Sequence, residues 1–125
     1  VEKNKIVYFK THYYGGVLKY QWVCMPLSLV GVVYTADGRY NLLRTSSRRD
    51  FGPIEDGCDC YTCAHYTKAY LHHLFKAQEL LAMQIASIHN LSFYLRLVTD
   101  ARHHIEQGDF VEWKRSIIDQ LGRRI

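Results

Sequence analysis

Three cysteines within one short stretch, Cys58, Cys60 and Cys63, constrain this chain more than any other feature. A disulfide framework needs cysteines spread out so that bridges can close loops. Cysteines this crowded suit a shared metal ion instead. Zinc takes four soft or borderline ligands in a tetrahedron, and three thiolates with one imidazole are a common structural set. His89 is the preferred fourth ligand. A helix running out from Cys63 and a return turn before Asn90 would bring it back. His65, His72 and His73 stand nearer in sequence, but His72 and His73 fall mid-helix and point away from a knuckle at its start. Four protein ligands leave no open position, so the expected zinc is structural.

Around this cluster the chain divides into two halves. The first is rich in Tyr, Val and Gly. In "VGVVYTADGRYNLL", Val32, Val33 and Tyr34 favour a strand, Asp37-Gly38 supplies a tight turn, and Tyr40 to Leu43 return as a second strand. Residues 45–57 read as a loop from their Ser, Gly and Pro content. After Cys63 the spacing turns helical: Tyr66, Tyr70, His73, Leu74, Ala77 and Leu81 share one face. Asn90 is expected to cap a second helix, in which Leu91, Tyr94, Leu95, Val98, Ala101 and Ile105 repeat at the same spacing. Gly108 ends that helix in a left-handed stop. Asp109 then opens a short third helix, with Glu112 placed as in a capping box and Gly122 at its end. The expected fold is therefore α+β: a hairpin, a zinc knuckle and three C-terminal helices.

Size and charge set outer bounds. A chain of 125 residues with 48% hydrophobic residues is one domain's worth of material and can bury a core. Its net charge of +4 permits an RNA or phosphate partner without demanding one. The longest apolar run, Val23 to Val33, contains Pro26, Ser28 and Gly31 and falls short of the roughly 18 residues a membrane span needs. No apolar leader segment is visible near Val1. The expected setting is cytoplasmic, with no membrane partner. A start at Val1 rather than Met points to a fragment or a processed product.

From Gly31 to about residue 113 the sequence resembles the C-terminal part of the tRNA-guanine transglycosylases, the queuine-type tRNA-ribosyltransferases. The motifs that carry the resemblance are "GCDCYTC", "AYLHHLFKA" and "SIHN". The resemblance implies Cys58, Cys60, Cys63 and His89 as a structural zinc site inserted near the end of a (β/α)8 barrel. It also implies a reaction in which a guanine of tRNA is exchanged for a 7-deazaguanine base through a covalent bond between an aspartate and the ribose. A barrel takes about 250 residues, twice what is present. The family's nucleophile lies in a D-C-x-x-P-T-R stretch just before the hairpin. Here that stretch reads "YQWVCMPLSLVG": Cys24, Met25 and Pro26 remain, no aspartate stands at Trp22 or Val23, and Leu27-Ser28 replaces T-R. Residues 1–30 match nothing placeable in the family, so the recognisable region is 31–125.

The remaining candidates belong to surfaces. Arg39, Arg44, Arg48 and Arg49 carry no acid among them and suit tRNA phosphates; the bland reading is a solvated loop, partly cancelled by Asp50, Glu55, Asp56 and Asp59. Lys68 sits where the family carries a basic residue near tRNA. Tyr66, Tyr70 and His73 would by default pack in a core, whereas the resemblance puts them in a homodimer contact. Cys24 reads as a buried free thiol, and His103-His104 as surface decoration. The leading expectation is a C-terminal transglycosylase segment inactive by itself, with tRNA and a second copy or a transglycosylase subunit as partners. The alternatives are a stand-alone zinc-stabilised module that docks on RNA or on such a subunit, and a non-functional remnant.

Overall fold

The structure is a computed structural model. It describes residues 31–125 and, ahead of them, the backbone of two short antiparallel strands, β1 (His12–Tyr14) and β2 (Val17–Lys19). The stretch around Cys24, Met25 and Pro26 lies outside the described residues. A second hairpin follows, formed by β3 (Val32–Thr35) and β4 (Gly38–Asn41). Their register pairs Val33 with Tyr40 and Thr35 with Gly38. The turn is therefore Ala36-Asp37, one residue earlier than the Asp37-Gly38 expected from sequence. Gly38 begins the returning strand with φ at +141°. A Cβ there would stand 2.7 Å from the Arg123 carbonyl oxygen. The glycine thus lets the C-terminal tail run beside β4, where Arg39 N–H donates to Arg123 O at 2.9 Å.

A 3-10 turn, Thr45–Arg49, gives structure to part of the expected loop. Four helices come next: the one-turn α1 (Tyr61–His65), α2 (Lys68–Lys76), the long α3 (Leu80–Gln107) and α4 (Phe110–Gly122). One core joins α2 and α3 to the hairpin, built from Val33 of β3, Leu42 just after β4, Ile54 of the loop, Leu71, Leu74 and Phe75 of α2, and Ala82, Ile85 and Ala86 of α3. Among the described residues no helix is long and apolar enough to cross a membrane.

Three expectations about the helices need correction. The face through Tyr66, Tyr70, His73 and Leu81 is not the buried one; α2 buries Leu71, His72, Leu74 and Phe75 and leaves Tyr70 and His73 exposed. Asn90 caps nothing. It lies buried within α3, which begins ten residues earlier at Leu80. The capping box at Asp109 does not form, because the Asp109 carboxylate instead accepts from His104 Nδ1 at 2.8 Å. Gly108 does end α3 in the left-handed region, at φ +82°.

Candidate metal centre

The knuckle begins with a turn in which Cys58 N–H reaches back to Glu55 O at 3.3 Å, made possible by Gly57 at φ +78°. Cys60 then caps α1: its sulfur accepts from Cys63 N–H at 3.4 Å. That cap places Cys63 one helical turn on, beside Cys60 and not opposite it. From across the core, α3 delivers His89. Thr62 locks the two pieces together by donating its hydroxyl to Ile85 O at 2.7 Å, one helical turn before His89.

The result is convergence. The donor atoms of Cys58, Cys60, Cys63 and His89 all lie within 4.8 Å of one another. His89 Nδ1 stands 3.9 Å from Cys58 Sγ, 3.5 Å from Cys60 Sγ and 3.4 Å from Cys63 Sγ. A tetrahedral zinc with ordinary Zn–S and Zn–N bonds separates sulfur from nitrogen by about 3.6 Å. The four residues therefore fit one such ion without rearrangement.

Electrostatics point the same way. Burial pushes the Cys63 thiol up to about 12, and the neighbouring Cys60 and Cys58 push it in the same direction. Burial likewise raises Cys58. Three thiolates cannot share this space without a cation, and a dication removes the penalty. Burial lowers His89, which favours the neutral ring a metal requires. Its other nitrogen, Nε2, donates to Tyr34 O at 2.8 Å. That bond fixes the proton on Nε2 and turns the Nδ1 lone pair toward the sulfurs, the role an outer partner commonly plays at a metal-binding histidine.

The neighbouring Asn90 explains why α3 and β3 hold this distance. Its Oδ1 accepts from Tyr34 N–H at 3.0 Å, and its Nδ2 donates to Val32 O at 3.3 Å. His89 and Asn90 together satisfy the outer edge of β3. Sequence spacing gave Asn90 a cap's role, because an asparagine before an apolar run looks like one. Glu55, read from sequence as a loop charge, is a second unforeseen brace. It accepts from Ala36 N–H and from Arg96 Nη2, both at 2.6 Å, linking the hairpin turn to α3.

The other histidines have separate duties. His65 Nδ1 bonds to Tyr61 O at 2.9 Å, and His72 Nδ1 to Leu42 O at 2.8 Å. Arg44, Arg48 and Arg49 are exposed around the 3-10 turn. Lys68 pairs with Asp50, the residue after Arg49, at 2.9 Å. The Tyr66 and Tyr70 rings stack at 5.6 Å, with Tyr70 exposed.

The sequence that builds this arrangement has counterparts among known proteins. Residues 25–123 match the family described as Queuine tRNA-ribosyltransferase. The chain belongs to that family. It is 48% identical over 84 residues to the queuine tRNA-ribosyltransferase of Oleidesulfovibrio alaskensis, covering 67% of this chain and 22% of that protein. The counterpart from Clostridium perfringens is 43% identical over 94 residues, covering 75% of this chain and 25% of that one. The Helicobacter pylori protein is 42% identical over 92 residues, or 74% of this chain and 25% of its own length. The chain thus spans about a quarter of the queuine tRNA-ribosyltransferases it matches. Within that quarter it keeps a Cys3His cluster able to hold one metal ion, and the family match takes in all four ligands.

Proposed function

We propose that this chain is the C-terminal segment of a tRNA-guanine transglycosylase, with residues 31–125 as the unit that holds structural zinc and offers part of the tRNA-facing and subunit-facing surface. The observation that carries this reading is the convergence of three sulfurs and His89 Nδ1 within 4.8 Å in a chain of this family. Zinc bound there joins the loop, α1 and α3, and its role is to fix the knuckle against the hairpin. The reaction that the resemblance implies for the whole protein is exchange of a guanine in tRNA for a 7-deazaguanine base.

The tRNA surface is assigned to Arg44, Arg48 and Arg49, which are exposed, together with Lys68, which acts on that surface by holding Asp50. The contact with a second copy or a transglycosylase subunit is assigned to Tyr66, Tyr70 and His73. Reduced thiols held as ligands suit a cytoplasmic setting.

Metal analysis of the purified chain tests the centre. About one equivalent of zinc is expected, and near-zero zinc with freely reactive thiols would sink the site. Cys60→Ser should lose most of the folded population, because metal binding here is folding free energy. For the RNA surface, replacing Arg44, Arg48 and Arg49 by Ala should weaken tRNA binding about equally for all tRNAs and flatten its salt dependence. Unchanged affinity would make the run a solvated loop. The isolated chain should incorporate no labelled guanine into tRNA, since no carboxylate stands between Lys10 and Ala36, where the family's nucleophile falls. Turnover by a preparation free of host transglycosylase would overturn that expectation.

A further inference from the structure

Tyr34 of β3 and Arg39 of β4 face each other across the hairpin. Facing residues in an antiparallel pair alternate between bonding each other and turning their N–H and C=O groups outward. This pair turns outward on both sides. On the β3 side, Tyr34 N–H donates to Asn90 Oδ1 at 3.0 Å, and Tyr34 O accepts from His89 Nε2 at 2.8 Å. On the β4 side, Arg39 N–H donates to Arg123 O at 2.9 Å, and Arg39 O accepts from Ile125 N–H at 3.0 Å. The tail runs parallel to β4 at this point, as a short third strand. The tail and His89 thus grip opposite edges of one residue pair.

The seat for the tail is built, not incidental. A Cβ at Gly38, next to Arg39, would stand 2.7 Å from Arg123 O and 3.2 Å from Gln120 O. Arg39 Nη2 donates to Gly122 O at 3.3 Å, at the end of α4. An uncovered strand edge is a liability, and the tail covers β4 as His89 and Asn90 cover β3. α4 buries no residue of its own. Its start is held by the Asp109 carboxylate on His104 at 2.8 Å and by Trp113 stacked on the His104 ring at 5.0 Å. Its far end reaches the hairpin through the tail.

We propose that residues 123–125 are a clasp on the metal centre: their pairing with β4 and metal binding by His89 reinforce each other through the Tyr34–Arg39 pair. The proposal rests on the zinc reading above and adds to it what governs retention of the ion. Tyr34 O holds the Nε2 proton of His89, so the Nδ1 lone pair faces the sulfurs only while β3 keeps its distance from α3. The docked tail stiffens the hairpin from the other edge. A released tail lets the pair move, and the grip on the His89 ring loosens. The element with two states is the tail itself, docked or free. Such coupling is reciprocal: what the tail adds to metal retention, the metal adds to tail docking.

The experiment uses the zinc-loaded full chain. Ile125→Pro removes the N–H that Arg39 O accepts, and Gly38→Ala puts a Cβ against Arg123 O. Asp109→Ala is the control, since it loosens the other end of α4 and leaves the tail alone. Zinc transfer to a chromophoric chelator is timed. Hydrogen exchange is followed by NMR at Arg39 N–H, at the His89 Nε2 proton and, within α3, at Ile85 N–H. Ile125→Pro should speed exchange at Arg39 and at the His89 ring, leave Ile85 unchanged and speed zinc transfer about threefold, as for one lost hydrogen bond. Gly38→Ala denies the tail its seat and should speed zinc transfer about tenfold. The control should match wild type throughout. If the tail variants open Arg39 to exchange yet release zinc at the wild-type rate, the clasp is wrong and the zinc reading survives. Equal acceleration by Asp109→Ala, or exchange rising at Ile85 as much as at His89, would mark a general loss of stability and also overturn the clasp. So would an Arg39 N–H that stays protected in Ile125→Pro, because Ile125 would then hold nothing. If the wild-type chain binds no zinc, the zinc reading and the clasp fall together. Should Gly38→Ala not fold, Ile125→Pro decides alone.

Discussion

His89 and Asn90 are adjacent in sequence and opposite in legibility. A histidine downstream of three crowded cysteines announces itself by chemistry, because few arrangements of those residue types serve another purpose. An asparagine announces nothing of the sort. Its amide is the right length to bond a strand edge, but which edge is known only once α3 lies across β3. In the fold Asn90 is fully buried and answers both Tyr34 N–H and Val32 O. Replacing it with Leu would leave that donor and that acceptor without partners, at roughly 1–3 kcal/mol for each buried group. Asn90→Leu should therefore lose about 2 kcal/mol or more in denaturant unfolding of the zinc-loaded chain. Zinc should remain near one equivalent but yield more readily to a competing chelator, because the His89 ring loses its neighbour's grip on β3. Wild-type stability in this variant would show that the amide carries no strain-bearing contact.

At the scale of elements, two helix ends with the same hydrogen bonds show why one boundary was readable and the other was not. At the end of α3, Gly108 N–H bonds to Ile105 O and Asp109 N–H to His104 O. At the end of α2, Gln78 N–H bonds to Phe75 O and Glu79 N–H to Leu74 O in the same pattern. Both are left-handed stops, with φ at +82° for Gly108 and +58° for Gln78. Glycine signals such a stop in the sequence, whereas glutamine does not. The apolar spacing therefore seemed to continue through Ala77 to Leu81. The hairpin, the knuckle and the presence of three longer helices were legible because each depends on local residue types, whereas the one-turn α1 makes four helices where three were expected; the break at Gln78 depends on how α2 and α3 must fold back to bury Leu74, Phe75 and Ala82 together. Gln78 is exposed and pays the steric cost of a Cβ in the left-handed region, about 1 kcal/mol. Gln78→Gly should raise the thermal midpoint of the zinc-loaded chain, by the equivalent of up to about 1 kcal/mol after the added chain entropy of glycine. A lowered midpoint would mean that the glutamine side chain holds something in place.

At the scale of the whole molecule, the chain buries one side of α3 and leaves the other uncovered. Ala82, Ile85, Ala86, His89 and Phe93 face the hairpin and α2. The row predicted from spacing divides: Tyr94 packs its ring against Tyr34 and Phe93, and Ala101 is half-buried, whereas Leu91, Leu95, Val98 and Ile105 lie on the opposite side, with Leu95 60%, Val98 52% and Ile105 60% exposed. Ile88 extends it, and α4 buries no residue of its own. The periodicity was real, but it reported a face that these residues alone do not cover. A contiguous apolar row of this kind is rare on a chain that stays monomeric. The matched relatives are about four times the length of their shared segment, so further protein is available to cover such a row in them. The isolated chain should accordingly self-associate as concentration rises, seen as a concentration-dependent mass in sedimentation equilibrium. Leu95→Glu with Val98→Lys places charges in the middle of the row without touching the core or the metal ligands. That variant should keep its zinc and its helical circular dichroism while its mass falls to that of one chain. Tyr70→Ala with His73→Ala tests the other candidate contact on the same readout. If only the second pair dissolves the assembly, association runs through the exposed aromatic face of α2, and the row on α3 is not the contact.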